Sequence, residues 1–566
     1  MRLMGIDVLI KGGTVYDGTG REAFCADIGV SGDRIAFIER QTASAASHSR
    51  SKPVTIINAR DMAVAPGFID THAHSDFILL ADPRAEGKVC QGITTEINGN
   101  CGLSSAPLYG RALEQREADL GELGIRERWT TLGEYFEILE KMTICMNFVT
   151  LAGHGNIRAC VAGYDNRRLS STEKKKMVAL LEESVNEGAV GLSSGLIYPP
   201  GLYSDTEELI ELCDSLARSY KNRSAMQSLH PSFARKERGV SGNSGGFGIY
   251  ASHMRSEGDQ LLESVEEIIR IGRKSGIKAH ISHIKTSGEK NWHKIDRAVS
   301  MIDGARKGGV CITCDRYPYT AASTDLDTVL PAWAYDGGAK KEMERLRVPE
   351  TRKRIKQEIS DEHPEMRYWE NITVATVVSE KNSWMEGKSI AWIAEQKGLE
   401  PVDMLLSVLV EEELRPGAIF SSMCEENLRK FLSLPYVMIG TDSSARSTSG
   451  PACKGKPHPR GFGSFPRFLG TYVRDSGLMS LKNAVHKVTM LPAETFGIRN
   501  RGVLKKGAYA DIVVFDPEKI IDRATFMEPF LKPEGISNVI INGVLAVNDG
   551  EPTGLRGGRI LRHGTG

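Results

Sequence analysis

Eight short strand-like runs spread along residues 67–442, separated by mostly helical segments, predict an α/β chain built as a (β/α)8 TIM-type barrel. The runs are GFIDTH, ITTEI, NFVTLAG, AVGLSS, IYASHM, IKAHISH, VCITCD and YVMIGTD, and they lead into peptides rich in His, Cys, Asp and Arg. In such a barrel the chemistry sits at the C-terminal ends of the strands, so fold and site are signalled together. A further observation is punctuation: glycines precede the strands in CQGITTEI, NEGAVGLSS, KSGIKAHISH and KGGVCITCD, where a helix ends in left-handed backbone.

The helices between these runs carry their own start signals. Ser170 lies three residues before Glu173, and Ser204 three before Glu207, each a capping-box spacing. At the two ends of the chain the texture changes to short β runs broken by Gly and Asp turns. Residues 1–65 and 500–566 are therefore expected to pair into one small β-sandwich domain, leaving 66–499 as the barrel. The long charged stretch at about 326–420 reads as an inserted lid subdomain over the barrel mouth. Residues 41–53 read as a polar loop with His48 facing solvent. The Ser/Gly-rich segment within 220–249 lacks Walker spacing and reads as a flexible loop.

Composition narrows the class of function. With 566 residues, 40% hydrophobic and 25% charged, the chain is an ordinary globular protein larger than one simple core. Lys plus Arg balances Asp plus Glu at 72 each, so nothing argues for a nucleic-acid or anionic-membrane partner. The N-terminus lacks a signal-peptide h-region and no apolar run is long enough to span a bilayer. Ten scattered cysteines fit a reducing, cytoplasmic setting. The closest pair, Cys311 and Cys314, has no second pair to make a zinc ribbon and is expected to be buried core.

The stretch FIDTHAHSD carries the first chemical signal. Residues two apart share a face of an extended strand, so His72 and His74 can both meet one metal ion. Alone, the pair fits a polar strand end equally well. The rest of the chain decides: His253 and His283 end the fifth and sixth runs, Asp442 ends the eighth, and Cys101 follows the second in INGNCG. A barrel brings all six to one mouth. The mixture of N, S and O donors suits Zn²⁺ better than Mg²⁺ or Ca²⁺. Four donors suffice for one ion, and six serve two if a Cys101 thiolate bridges them. Cys101 alone could equally be an inert loop thiol. His154 ends the third run with its role open, and His280 is expected to face the core or a helix. A metal acidifies water and polarises a carbonyl, and Asp442 is the carboxylate best placed to take the proton and hand it to a leaving nitrogen. This is machinery for amide hydrolysis.

These residues resemble a known family. The split β domain, the motif APGFIDTHAHSD, the histidines of the fifth and sixth strands and the eighth-strand Asp resemble the amidohydrolase superfamily over nearly the whole chain. Within it, GNCG, GLSSGLIYPPG, SHMRSEG, SHIKTSG, DRYPYTA, GTDSS and KPHPRGFGSFPR look like the N-acyl-D-amino-acid deacylases, or D-aminoacylases. The resemblance implies release of a carboxylate and a free D-amino acid. It implies a tighter zinc on Cys101, His253 and His283, a weaker site on His72 and His74 bridged by Cys101, and Asp442 as acid/base. It further implies that Lys285, Arg460 and Tyr198 contact the substrate carboxylate and that Tyr317 hydrogen-bonds the scissile carbonyl or its oxyanion. The fourth run, AVGLSSG, has no lysine to bridge metals as in hydantoinases, and Cys101 can take that place. The loop SARSTSGPACKGK and the segment before His253 are longer than the family pattern, and Ser443 stands where a Gly is common. A dipeptidase acting on L-Xaa-D-Xaa substrates shares the same chemistry, and a non-catalytic binding or assembly protein is the reading from another class.

Overall fold

The computed structural model describes residues 5–40, 55–228 and 248–563. The loop carrying His48, and most of the Ser/Gly-rich segment with His230, lie outside the described residues. All eight runs are strands. Phe68–Asp70, Ile93–Asn98 and Asn147–Thr150 form one parallel sheet. Ala152–Gly153, Gly191–Gly195, Ile249–His253, Lys278–Ile281, Ile312–Arg316 and Val437–Ile439 form a second, in sequence order and also parallel. The third run spans both, with Leu151 between its two pieces. The Leu151 amide donates to Asn98 O and that of Val190 to Thr150 O, each at 2.9 Å, so the sheets join there.

The other seam brings the first strand to the eighth. The Asp442 amide donates to His72 O at 2.7 Å, the His74 amide donates to Ser443 O at 3.2 Å, and Ala73 bridges Ser443 in parallel. Gly440 is required here, since a Cβ at that position would lie 2.6 Å from the His72 Cβ. A seam this tight sets the two ends of the strand order, and the residues just beyond them, face to face.

Helix starts follow local chemistry, with one correction. Ser170 and Glu173 exchange both bonds of a capping box at the head of Ser171–Glu187. Ser204 does not cap the next helix. The chain turns through Gly201–Tyr203, Ser204 Oγ donates back to Gly201 O, and Asp205 Oδ1 accepts from the Glu208 amide instead. Cys311 is also corrected: Cys314 is buried, but Cys311 is exposed. Three residues apart in extended backbone, the two point to opposite faces.

Strands from both ends of the chain share one nine-stranded sheet. Ile512–Phe515 pairs antiparallel with Ala63–Pro66, which pairs in turn with Val8–Val15. Ile10, Ile28, Val64, Ile512 and Ile540 fill the core beneath them. Between the seventh and eighth barrel strands, Ala322–Asp325, Gly417–Phe420 and Ile372–Thr376 form a separate antiparallel sheet. The helices Ala339–Arg347, Pro349–Glu362 and Pro401–Glu411 pack on a core of its own that includes Leu326, Leu346, Ile355 and Leu405.

Candidate metal centre

His72 and His74 follow the first strand, Cys101 the second and His283 the sixth, while His253 closes the fifth and Asp442 lies just past the eighth. Their donor atoms converge. Cys101 Sγ lies 3.3 Å from His72 Nε2, 3.5 Å from His283 Nε2 and 3.7 Å from His253 Nδ1. Asp442 Oδ1 lies 3.2 Å from His74 Nε2 and 3.6 Å from His72 Nε2. His72, Cys101 and His283 form one group able to hold a metal ion, and His72, His74 and Asp442 form another.

Backbone conformation aims these side chains. Cys101, His283 and Asp442 are non-glycine residues with positive φ, at 53°, 36° and 50°. Left-handed backbone at such positions costs on the order of 1–3 kcal/mol each and persists only where the surroundings enforce it. Its value is directional, because each residue turns its side chain back over the strand ends. Gly99 and Gly102, also at positive φ, make the tight loop around Cys101, and the Gly102 amide donates to Ser193 Oγ at 3.0 Å.

The charge balance fits a metal. Burial pushes the Cys101 thiol up, but His72 and His283 beside it, with hydrogen bonds from His253 and His283, carry it well below its ordinary value. Desolvation lowers His253, leaving a neutral imidazole with a lone pair to offer. Burial also raises the Asp442 carboxyl, and the Arg460 guanidinium and His283 outweigh it and hold it well below the usual carboxylate range. His253 Nε2 and His72 Nδ1 are buried with no hydrogen-bond partner. Desolvation lowers His72, His74 and His283 as well, but the anions beside them, Cys101, Asp315, Asp442 and Glu257, outweigh it and raise all three, so a metal would take the place of their protons among a thiolate and a carboxylate.

Comparison with known proteins agrees with this geometry. Models of the amidohydrolase family match residues 55–235 and 346–546. The chain is 34% identical to the D-aminoacylase of Alcaligenes xylosoxydans xylosoxydans, over 98% of this chain and 97% of that protein. Identity to the N-acyl-D-glutamate deacylase of the same organism is also 34%, over 98% and 96%. A crystal structure of the Bordetella bronchiseptica N-acyl-D-glutamate deacylase, with zinc and a phosphonate inhibitor, superposes with a TM-score of 0.78 at 31% identity, covering 99% of this chain and 100% of that one. This chain belongs to the N-acyl-D-amino-acid deacylase family of amidohydrolases.

Around the candidate metal cluster of this deacylase-family member stand groups that the sequence did not single out. Glu257 Oε1 lies 2.9 Å from His283 Nδ1 and 2.5 Å from Lys285 Nζ. Lys285 Nζ also lies 2.9 Å from His283 Nδ1, so Lys285 and Glu257 together stand behind the imidazole whose Nε2 faces Cys101. His253, Glu257 and His283 also form a metal-sized group, but the Lys285 ammonium already supplies its cation. The one sequence cue for Glu257 is its place four residues after His253 in SHMRSEG.

Asp315, at the end of the seventh strand, is the second such group. Its Oδ1 accepts from the His283 amide at 2.5 Å, and its Oδ2 lies 2.9 Å from His280 Nε2 and 3.5 Å from His72 Nδ1. His280 is buried, as expected, its ring 5.4 Å from that of Phe496 in the helix Met490–Phe496, and it connects to the cluster through Asp315. Strand parity does not carry on to His283, because the strand ends at Ile281 and the chain turns at His283. His154 is not brought to the metal groups: its Nε2 meets Glu208 Oε1 at 2.9 Å, with Arg158 on the same oxygen at 3.3 Å.

The four expected substrate contacts do surround the cluster. The Tyr317 ring lies under Arg316 and Arg460, 4.1 and 4.7 Å from their guanidinium carbons, and its buried hydroxyl has no hydrogen-bond partner. Lys285 Nζ lies 5.9 Å from the same ring. Arg460 donates to Asp442 Oδ2 at 2.8 Å and to Ser323 O at 3.0 Å. The Tyr198 ring packs edge-on to His253 at 5.2 Å, and its hydroxyl bonds Thr324 Oγ1 at 2.9 Å. Asp442, the Tyr317 hydroxyl, Arg460 and Lys285 are thus all buried, with Arg460 touching both the Asp442 carboxylate and the Tyr317 ring.

Proposed function

We propose that this protein is a zinc-dependent hydrolase of N-acyl-D-amino acids, releasing a carboxylate and the free D-amino acid. The observation that carries the reading is the cluster built on Cys101 from the second strand, with no lysine on the fourth, beside an unpartnered Tyr317 hydroxyl. Relatives sharing a third of its residues along nearly the whole chain are named D-aminoacylase and N-acyl-D-glutamate deacylase.

Cys101, His253 and His283 would hold the tighter zinc, and His72 and His74, sharing Cys101, a weaker one. When bound, the metal supplies Lewis-acid polarisation of the scissile carbonyl and acidifies a water. Asp442, ionised beside Arg460, takes the proton of the attacking water and returns it to the departing nitrogen. The Tyr317 hydroxyl donates to the carbonyl oxygen as negative charge develops, a stabilisation free of reorganisation because no bond has to break first. Lys285 and Arg460, with Tyr198 beside them, bind the substrate carboxylate, and Arg460 shares its fork between that group and Asp442.

We assign residues 1–65 and 500–566 to one small domain and the insertion at about 326–420 to a lid, and Ser323 and Thr324 in the strand leading into it bond Arg460 and Tyr198. A cytoplasmic location is supported by ten cysteines that are all free thiols. The test is amine release from matched N-acetyl-D- and N-acetyl-L-amino acids by zinc-loaded protein. Release from the D series alone is expected. No release from that series, with release from L-Xaa-D-Xaa dipeptides, would replace the deacylase by a dipeptidase, and no release from any would leave a binding protein.

A further inference from the structure

Lys88 is a buried lysine that the chemistry above does not use. It lies in the short helix Glu86–Val89 between the first and second barrel strands and is 0% exposed. An ammonium taken wholly out of water is retained only where its donors are matched and its charge is paired. Here all three donors are used: Nζ donates to Asp70 Oδ2 at 2.7 Å, Thr441 Oγ1 at 2.7 Å and Ser443 O at 2.9 Å, with Glu96 Oε2 at 3.5 Å.

Two of those three partners flank Asp442. Asp70 grips the same pair of segments from the other side, since its Oδ1 accepts from the Thr441 amide at 2.8 Å and the His72 amide at 3.2 Å. Thr441 Oγ1 also reaches Asp70 Oδ2 at 2.7 Å. Glu96 extends the network through Ser75 Oγ, which accepts from the Ala445 amide at 2.7 Å. Asp442 is thus a left-handed residue, at φ 50°, between two neighbours fixed to one buried cation.

We infer that Lys88, with Asp70 and Thr441, is a positioning element that holds the Asp442 carboxylate over His72 and His74. Without the clamp, Asp442 relaxes from left-handed backbone and its carboxylate leaves the position from which it can reach both His72 and His74 and a leaving nitrogen. The inference rests on the deacylase reading only for its kinetic consequence. Its geometric consequence concerns the His72–His74–Asp442 group alone.

The test uses the full-length protein and two independent readouts. Lys88→Met strands two carboxylates in the interior and is expected to fold poorly, so Thr441→Val is the informative variant: it removes one hydroxyl and keeps the Lys88–Asp70 pair. Displacing a catalytic group by an ångström costs about 100-fold in rate, so Thr441→Val is expected to lower kcat by about 10- to 100-fold with KM nearly unchanged. Thr441→Ser, which keeps the hydroxyl, is expected to restore it. Spectroscopic titration with cobalt(II) is expected to show the first equivalent bound as in the parent and the second weakened by about 10-fold, an outer-shell effect of ordinary size. A second equivalent bound with parent affinity by Thr441→Val, or equal loss in the Val and Ser variants, would overturn the inference. If the parent itself releases no amine from N-acetyl-D-amino acids, the deacylase reading fails while the cobalt titration still decides this one.

Discussion

Arg460 and Asp442 meet through one charge-assisted hydrogen bond of 2.8 Å from Nη1 to Oδ2, and His74 approaches the other carboxylate oxygen at 3.2 Å. The two contacts keep the carboxylate ionised and fix its plane. Replacing it by an amide keeps the shape and removes the proton acceptor. Asp442→Asn is therefore expected to lower kcat by about 10³-fold, in the middle of the range for a lost general acid/base, while one tightly bound zinc per chain remains by elemental analysis. Near-normal kcat in this variant would refute the assigned role.

Cys101 Sγ lies within 3.3–3.7 Å of three imidazoles, those of His72, His253 and His283. Cys101→Ala removes the thiolate that those imidazoles stabilise. The variant is expected to purify with less than stoichiometric zinc and no measurable turnover. Normal zinc content would rule out its place between the two metal positions.

Tyr317 offers a prediction in which stability and activity part company. Its hydroxyl is buried with no partner, so its removal leaves no group stranded. Tyr317→Phe is expected to leave the thermal midpoint unchanged or slightly raised. Loss of a donor aimed at developing charge costs about 10²–10³ in kcat, and kcat is expected to fall by that much. A midpoint lowered by several degrees would mean that the hydroxyl has a structural partner in the folded protein.

Glu257 stands behind His283 and pairs with Lys285, which itself hydrogen-bonds His283 Nδ1. Glu257→Gln keeps the size of the side chain and removes the charge that holds this group against the imidazole. Zinc affinity is expected to weaken by about 10- to 100-fold, as for other carboxylates behind a ligating histidine, with an accompanying rise in KM as Lys285 loses its anchor. Competition with a chromogenic chelator reads the first effect, and initial-rate kinetics the second. Unchanged affinity would leave Glu257 as a partner of Lys285 alone.

The sequence by itself determined the barrel, because eight strand-like runs with helix punctuation between them leave few other ways to bury their apolar faces. It pointed to the candidate donor residues for a related reason: in that fold a His, Cys or Asp at a strand end has one direction to face, so position in the chain already implies which side chains meet. The intact set at 72, 74, 101, 253, 283 and 442 was readable this way. Parity of side chains along a strand was reliable only while the strand lasted, as His280 and His283 demonstrate.

Tertiary structure decided the rest. Glu257, Asp315 and Lys88 are ordinary charged residues in the sequence and acquire roles from what lies opposite them, such as Thr441, 353 residues along the chain from Lys88. The left-handed backbone at Cys101, His283 and Asp442 had no local signal either, since none of the three is a glycine. Such conformations are costly in isolation and are imposed by neighbours: the glycines beside Cys101, the Asp315 carboxylate on the His283 amide, and the Lys88 clamp on either side of Asp442. Local propensity specifies elements and their order. The exact placement of a carboxylate relative to two imidazoles depends on contacts between strand ends far apart in the chain, which exist only once the chain has folded.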